Sequence, residues 1–357
     1  MTSHRPALLR AQRGFSLTEL LIAATIGLVI LAGMSTLFVN NSRTQAEIEK
    51  ANRQVENGRF AMQTLSSDLR NAGFYGEFDP TILTSPAAVP DPCAATVAAL
   101  KEALPLPVQG IDNATTAPSC LPGLVSGTDI LVVRRTDTCV VGTPGCAALA
   151  DGGPYFQASL CDNNFELGSG DSANYYRLDV TTSTLNRRQR NCNASANTGT
   201  LAVVRRYLTH VYYVASDDRE GDGVPTLKRA ELGLSGTTLA MTVVPLVNGI
   251  ENLQLEYGLD TNGDGVADVF NANPETVGGC AAADCAIANW RQAVSVKLNL
   301  LAVNLEPTTG YVDATSYVLG LDAAGEPIEI AASSDAYKRH VFQSLVAMPN
   351  PAGRNMP

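Results

Sequence analysis

No cysteine precedes Cys93, no proline lies between Ala7 and Phe78, and no acid falls among the first fourteen residues. The 357 residues include only three histidines (His4, His210 and His340) and one tryptophan, Trp290. None of the histidines belongs to an H-E-x-x-H pattern, no two cysteines show C-x-x-C spacing, and neither a G-x-S-x-G elbow nor a phosphate loop occurs. These absences argue against zinc hydrolases, serine hydrolases and nucleotide enzymes, so the expectation is a non-enzymatic protein. A formal net charge of -10 argues against a protein that wraps nucleic acid by neutralising phosphates. Few aromatics beside frequent glycine and proline suit a loop-rich β protein better than a helical bundle.

What is present begins with an apolar run. From Phe15 to Phe38 only Glu19 can ionise, and as a helix this stretch spans ~35 Å, enough to cross a bilayer core once. Arg5, Arg10 and Arg13 precede it, which places the N-terminus inside and the rest of the chain in the periplasm. A secretory signal would have a shorter apolar region followed by a small-residue cleavage site. A carboxylate in a membrane helix costs about 2.5 kcal/mol or more at the bilayer centre, so Glu19 calls for a partner or a function, unless it snorkels to the interface. Beyond the run, Ile48, Ala51, Val55, Gly58, Met62, Leu65, Leu69 and Ala72 alternate spacings of three and four. That stripe predicts one helix from Phe15 to about Ala72, ~87 Å long, with its second half laid on a globular domain or forming a plain coiled-coil stalk. Gly58 favours close packing on a sheet.

The remainder reads as an antiparallel β domain. Strands are expected at Asp129–Arg135, Tyr175–Val180, Leu201–Val214, Thr226–Ala230, Ile250–Tyr257, Ala293–Val303 and His340–Val346. Val294, Val296, Leu298 and Leu300 alternate with Ser295, Lys297 and Asn299, which predicts one covered face. With the helix as cover, the fold class is α+β. Between Pro80 and Pro122 eight prolines predict irregular structure around a short helix at Thr96–Leu104. The expected segments are a leader (1–14), the membrane half of the helix (15–38), its periplasmic half (39–73), a Pro/Ala-rich connection (74–128) and a β-rich head (129–357). All eight cysteines follow the apolar run, and an even number suits disulfides in an oxidising compartment better than metal ligation. Sequence proximity favours Cys93 with Cys120, Cys139 with Cys146, Cys161 with Cys192 and Cys280 with Cys285.

One metal motif stands out. Asp260, Asn262, Asp264, Val266 and Asp268 match an EF-hand loop at positions one, three, five, seven and nine, with Gly265 at the turn, so calcium (Ca2+) is the expected ligand. The twelfth position is Asn271 rather than a bidentate glutamate, and the rival reading is a solvated Asx-turn loop. Asp217, Asp218 and Asp222 fit no ligand spacing and read as a polar hairpin tip.

The segment Arg13-Gly14-Phe15-Ser16-Leu17-Thr18-Glu19 closely resembles the type III signal of type IV prepilins. The resemblance implies a pilin-like fold, cleavage between Gly14 and Phe15 by the prepilin peptidase, N-methylation of Phe15, and pairing of Glu19 with the amino terminus of a neighbouring subunit. Major pilins often carry a proline where this chain has Thr36. The hairpin around Tyr212-Tyr213-Val214 and Thr226-Leu227-Lys228-Arg229, the run Gly249 to Tyr257 and Arg339-His340-Val341-Phe342 look like the PilW-type minor pilins. That likeness implies an inner-membrane, single-pass subunit that primes pilus assembly with other minor pilins, the major pilin and a large tip adhesin, supporting adhesion and twitching motility. Two alternatives stay open: a minor pseudopilin of type II secretion, and an uncleaved single-pass periplasmic binding or sensor protein.

Overall fold

The computed structural model describes residues 14, 16–193, 197–236 and 238–355. Contacts divide the chain into two units, Met1–Asn52 and Arg53–Pro357. Helix α1 (Leu17–Arg70) belongs to both. No proline interrupts it, and at Thr36 the hydroxyl donates to the Ala32 carbonyl at 2.9 Å, so the helix is unbroken there.

The second unit is α+β, with the end of α1 packed on antiparallel sheets. After α1 come α2 (Val97–Ala103), β1 (Val108–Ala114), β2 (Thr128–Val140), β3 (Tyr155–Ala158), β4 (Tyr176–Asp179) and β5 (Val204–Ala215). Next are β6 (Thr226–Ser235), β7 (Thr238–Asn248), β8 (Ile250–Leu259), β9 (Val269–Asn271) and α3 (Ala283–Arg291). The chain closes with β10 (Ala293–Val303), β11 (Tyr317–Leu321), β12 (Pro327–Ile330), β13 (Arg339–Ala347) and α4 (Pro349–Asn355).

The first sheet forks on β5. One edge of β5 pairs with β2, which pairs with β1. The other edge pairs with β3 through residues 204–206 and with β6 through 210–215, so β3–β4 and β6–β7 share one long strand. The second sheet runs β13-β10-β8-β9. Asp129 joins the two sheets: one carboxylate oxygen accepts from the Asn113 amide at 2.8 Å and the other from the Leu255 amide at 2.7 Å. Burial pushes its pKa up to about 8 against the pull of those donors.

Both sheets share a core with α1. Ala61, Leu65 and Leu69 meet Leu131 and Val133 of β2, Tyr212 and Val214 of β5, Leu253 and Leu255 of β8, and Val296, Leu298 and Leu300 of β10. Gly58 lies against the Phe342 ring, where any Cβ would collide with it. The expected stripe is buried only from Gly58 onward, for Ile48 is 55% exposed.

Several expectations changed. The proline-rich connection holds the expected short helix, α2, but also the unexpected strand β1, and Leu100, Leu104, Leu106 and Val108 are core residues. Strand β7 was not among those expected; it is an edge strand whose register slips beside Pro245, where a missing N–H leaves no ladder bond broken. The outer face of β10 is not open, since Asn299 is buried and Gly320 of β11 approaches its amide. Trp290 lies in the last turn of helix α3, a helix that was not expected.

Candidate functional site

At the N-terminal end, Gly14 is exposed, and among the described residues no atom lies within 4 Å of the position a Cβ would take. That leaves its backbone open to an enzyme. Phe15 and the leader up to Arg13 lie outside the described residues, and with them the positions expected to be cleaved and methylated. Ser16 and Glu19 form a capping box. The Ser16 amide and hydroxyl donate to Glu19 Oε2 at 2.9 and 3.0 Å, and the Glu19 amide donates to Ser16 Oγ at 3.2 Å. Two orphan amides of the first helical turn are thereby satisfied, and the carboxylate has a partner within its own chain. The S-x-x-E spacing carried this signal in the sequence. From Leu17 to Val39 the large apolar side chains are exposed all round the helix, and no part of this window is buried. Among the described residues α1 is the one helix long and apolar enough to cross a membrane.

The head end of α1 is fastened by polar groups instead. Asp68, 5% exposed, accepts from Arg135 Nε at 2.6 Å, is bonded to His210 Nδ1 at 2.6 Å, and accepts from the Tyr212 hydroxyl at 2.8 Å. Burial opposes its ionisation, but the hydrogen bonds and charges of His210 and Arg135 outweigh burial and hold its pKa well below 3.8. Gln54 donates to the carbonyls of Ala302 and Lys338 at 2.8 and 2.9 Å, and Asn57 donates to that of Asn248 at 3.0 Å. These residues went unnoticed in the sequence because polar side chains on an apolar stripe read as surface. His210 is accordingly structural. His340 is exposed and edges against Phe342.

Arg339, part of the late motif, is 4% exposed and gathers three carboxylates, Glu251 from β8 and Asp313 and Asp335 from the loops before β11 and β13. It reaches Glu251 at 2.6 and 3.0 Å, Asp335 at 2.8 Å through two nitrogens, and Asp313 at 2.9 Å. The contacts with Asp335 and Glu251 outweigh burial and raise its pKa.

The acidic loop lies between β8 and β9 and is closed by its own amides. Asp260, 2% exposed, accepts from the amides of Gly263, Asp264 and Gly265 at 2.7, 3.2 and 2.8 Å. The Asn262 side-chain amide donates to Asp264 at 3.3 Å and to Asp268 at 3.1 Å, standing where a cation would meet those carboxylates. To ligate calcium, that amide must turn to present its oxygen. Val266 is exposed at the seventh position and its amide bonds Asp264. Among the described residues no three His, Cys, Asp or Glu side chains are gathered as a metal site. At the other acidic cluster, Asp222 accepts from the amides of residues 218, 219 and 224, which makes a hairpin tip.

The cysteines pair as Cys93–Cys120, Cys139–Cys146, Cys161–Cys192 and Cys280–Cys285, the pairs that sequence proximity favoured.

Two family models match this chain. Residues 9–35 match the prokaryotic N-terminal methylation motif, which spans Gly14, Phe15 and Glu19. Residues 211–350 match Type IV Pilus-assembly protein W, covering β6 to β13 and the Arg339 cluster. Over these two stretches the chain is similar to the PilW-type type IV pilins. Among solved structures, a type IV-like pilin from Thermus thermophilus is similar at 13% identity, covering 84% of this chain and 97% of its own, with a TM-score of 0.36, a likeness too loose to argue from. No curated protein matches the chain.

Proposed function

We propose that the chain is a non-enzymatic minor subunit of the type IV pilus, made with a leader that is removed after Gly14 and held by α1 in the inner membrane with its head in the periplasm. The observation that carries this reading is the pairing of a methylation-type signal at 9–35 with a PilW-type head at 211–350 in one chain. Exposed apolar side chains on every side of residues 17–39 need a lipid or protein surround, which the membrane supplies before assembly and neighbouring helices supply after it. Within such a bundle Glu19 would exchange its Ser16 bonds for the amine of an adjacent subunit, neutralising both charges. A head stapled by four disulfides suits capping or priming near the tip, beside other minor pilins, the major pilin and a tip adhesin, better than repetition along a filament. In that role it would support adhesion and twitching motility.

Mass spectrometry of the amino terminus, in cells with and without the prepilin peptidase, is the direct test. The expected mature protein begins at a methylated Phe15 and is absent without the enzyme. An intact leader in both strains would favour an uncleaved sensor and end the pilin reading. Recovery of the chain with a secretion machine rather than with sheared pili would favour the pseudopilin. For calcium, the donor spacing from Asp260 to Asp268 is the support. Calorimetry on the full chain in detergent should show binding that Asp264→Ala removes, and no heat from the unmodified chain would end that expectation.

A further inference from the structure

Strand β13 closes the second sheet and pairs with β10 on one side only. From Arg339 to Ala347 it stays in register with β10 without a bulge. In an antiparallel strand every second residue turns its N–H and C=O away from the partner strand, and on that side of β13 no backbone bond forms among the described residues. His340, Gln343, Ser344, Leu345 and Ala347 are exposed, Leu345 at 60%.

An open row of donors and acceptors templates further strands, so folded proteins guard such edges with charge, proline, bulges or short length. The other terminal strands of the two larger sheets carry those guards. Strand β9 has three residues, and β4 has four with Arg177 and Asp179 among them. The register of β1 is irregular beside Asp112, and that of β7 slips beside Pro245. Between Val341 and Ala347 there is no charge, no proline and no bulge.

Along the edge, on the face of the sheet away from α1, lies an open space of about 400 Å³ lined by Lys297, Asn299, Gly320, Gln343 and Leu345. Lys297 is paired with Glu256 at 3.0 Å, and the Gln343 amide donates to Asn299 at 3.0 Å. The charge there is already matched, so the space suits a neutral side chain.

We propose that the free edge of β13 takes up an extended, uncharged strand from another protein, which continues the sheet through main-chain hydrogen bonds and sets an apolar side chain against Leu345. A row of donors and acceptors at strand spacing is matched by an extended backbone and by no compact ligand. Strand β13 runs beside α1 in the same direction, from the bond between Gln54 and the Lys338 carbonyl to the bond between Asn350 and the Ala72 carbonyl. Antiparallel pairing of two copies of β13 would therefore oppose their α1 segments, which subunits anchored in one membrane do not do. The choice of a different protein over a second copy rests on the membrane reading; the open edge does not.

The test uses the full chain in detergent and the fluorescent peptide Thr-Val-Thr-Val-Thr-Val-Thr, which should bind. Two versions, N-methylated at one or the other set of alternate amides, separate strand addition from adhesion, because a strand presents its amides to its two sides in turn. One version should bind about tenfold or more weakly, and the other should bind as the parent does. The exposed changes Ser344→Lys and Leu345→Lys should each weaken binding about fivefold, while Thr242→Lys on the edge of β7 should not. None of the three should move the urea midpoint read from the buried Trp290. Equal binding by the two methylated peptides, no binding by the unmodified chain, or affinity unmoved by both β13 variants would overturn the proposal. Self-association that Leu345→Lys abolishes would assign the edge to a second copy, which also overturns it. An intact leader would end the pilus reading and leave the peptide result standing.

Discussion

Helix α1 is built on opposite plans at its two ends. In residues 17–39 the apolar side chains face outward on every side, and the one carboxylate, Glu19, is satisfied by Ser16 within the same turn. In residues 54–69 the outward face is polar apart from Phe60, while Gln54 and Asp68 are buried against the sheets with partners 67 to 284 residues away in sequence. The difference follows from the surroundings each end needs. A helix in lipid must satisfy polar groups locally because no solvent will do so, whereas a helix on a sheet can hand them to the facing strands.

The largest expected effect strikes the head end. Asp68→Ala leaves Arg135 and His210 buried without their acceptor and should cost about 3–5 kcal/mol, read as a lower urea midpoint by the buried Trp290. A midpoint equal to that of the unmodified chain would show that the two ends do not differ in this way. Acid sharpens the same point. Because the folded-state pKa of Asp68 is depressed, its contribution is present above the unfolded value of 3.8 and lost as pH falls below it. The stability gap between the unmodified chain and Asp68→Asn should therefore narrow from about pH 5 to about pH 2, and a constant gap would assign the effect to shape rather than charge.

Next comes Gly58→Ala, whose Cβ must displace the Phe342 ring. Overpacking of about 1–3 kcal/mol should exceed the ~1 kcal/mol that alanine returns in helix propensity, and the smaller ring site of Phe342→Leu should relieve it in a double-mutant cycle. Additive single effects would place the two residues out of contact. The smallest effect belongs to the membrane end. Ser16→Ala removes the cap and should cost about 1 kcal/mol, seen as faster amide exchange at residues 17–20 in micelles while the head midpoint stays put. A shifted head midpoint would contradict the independence of the two ends.

Much of the head was legible where local pattern suffices. The strands with clean alternation, such as β8 and β10, and the short helix α2 follow from their own residues. The helix α3, the strand β7 with Pro245, and β1 inside the proline-rich stretch did not show themselves. Each owes its form to a neighbour: α3 to the Cys280–Cys285 staple, β7 to β6, and β1 to β2, with Gly110 giving way to the Tyr257 ring. At the candidate sites the contrast repeats. Gly14 and Glu19 were evident, and the capping role of Ser16 was readable from its spacing. The acceptor at Asp68, the Arg339 cluster and the edge position of β13 were not, since their partners come from distant segments.

The amino-acid sequence by itself therefore determined the signal, the membrane-length helix and the order of most strands. These rest on composition and short periods, which act between near neighbours in the chain. Tertiary structure decided which polar residues are buried, how β5 is shared between two arms of a sheet, and where the Arg205 Nε is left without an acceptor among the described residues. Burial and hydrogen-bond satisfaction depend on what lies across an interface, and that is known once distant strands have met.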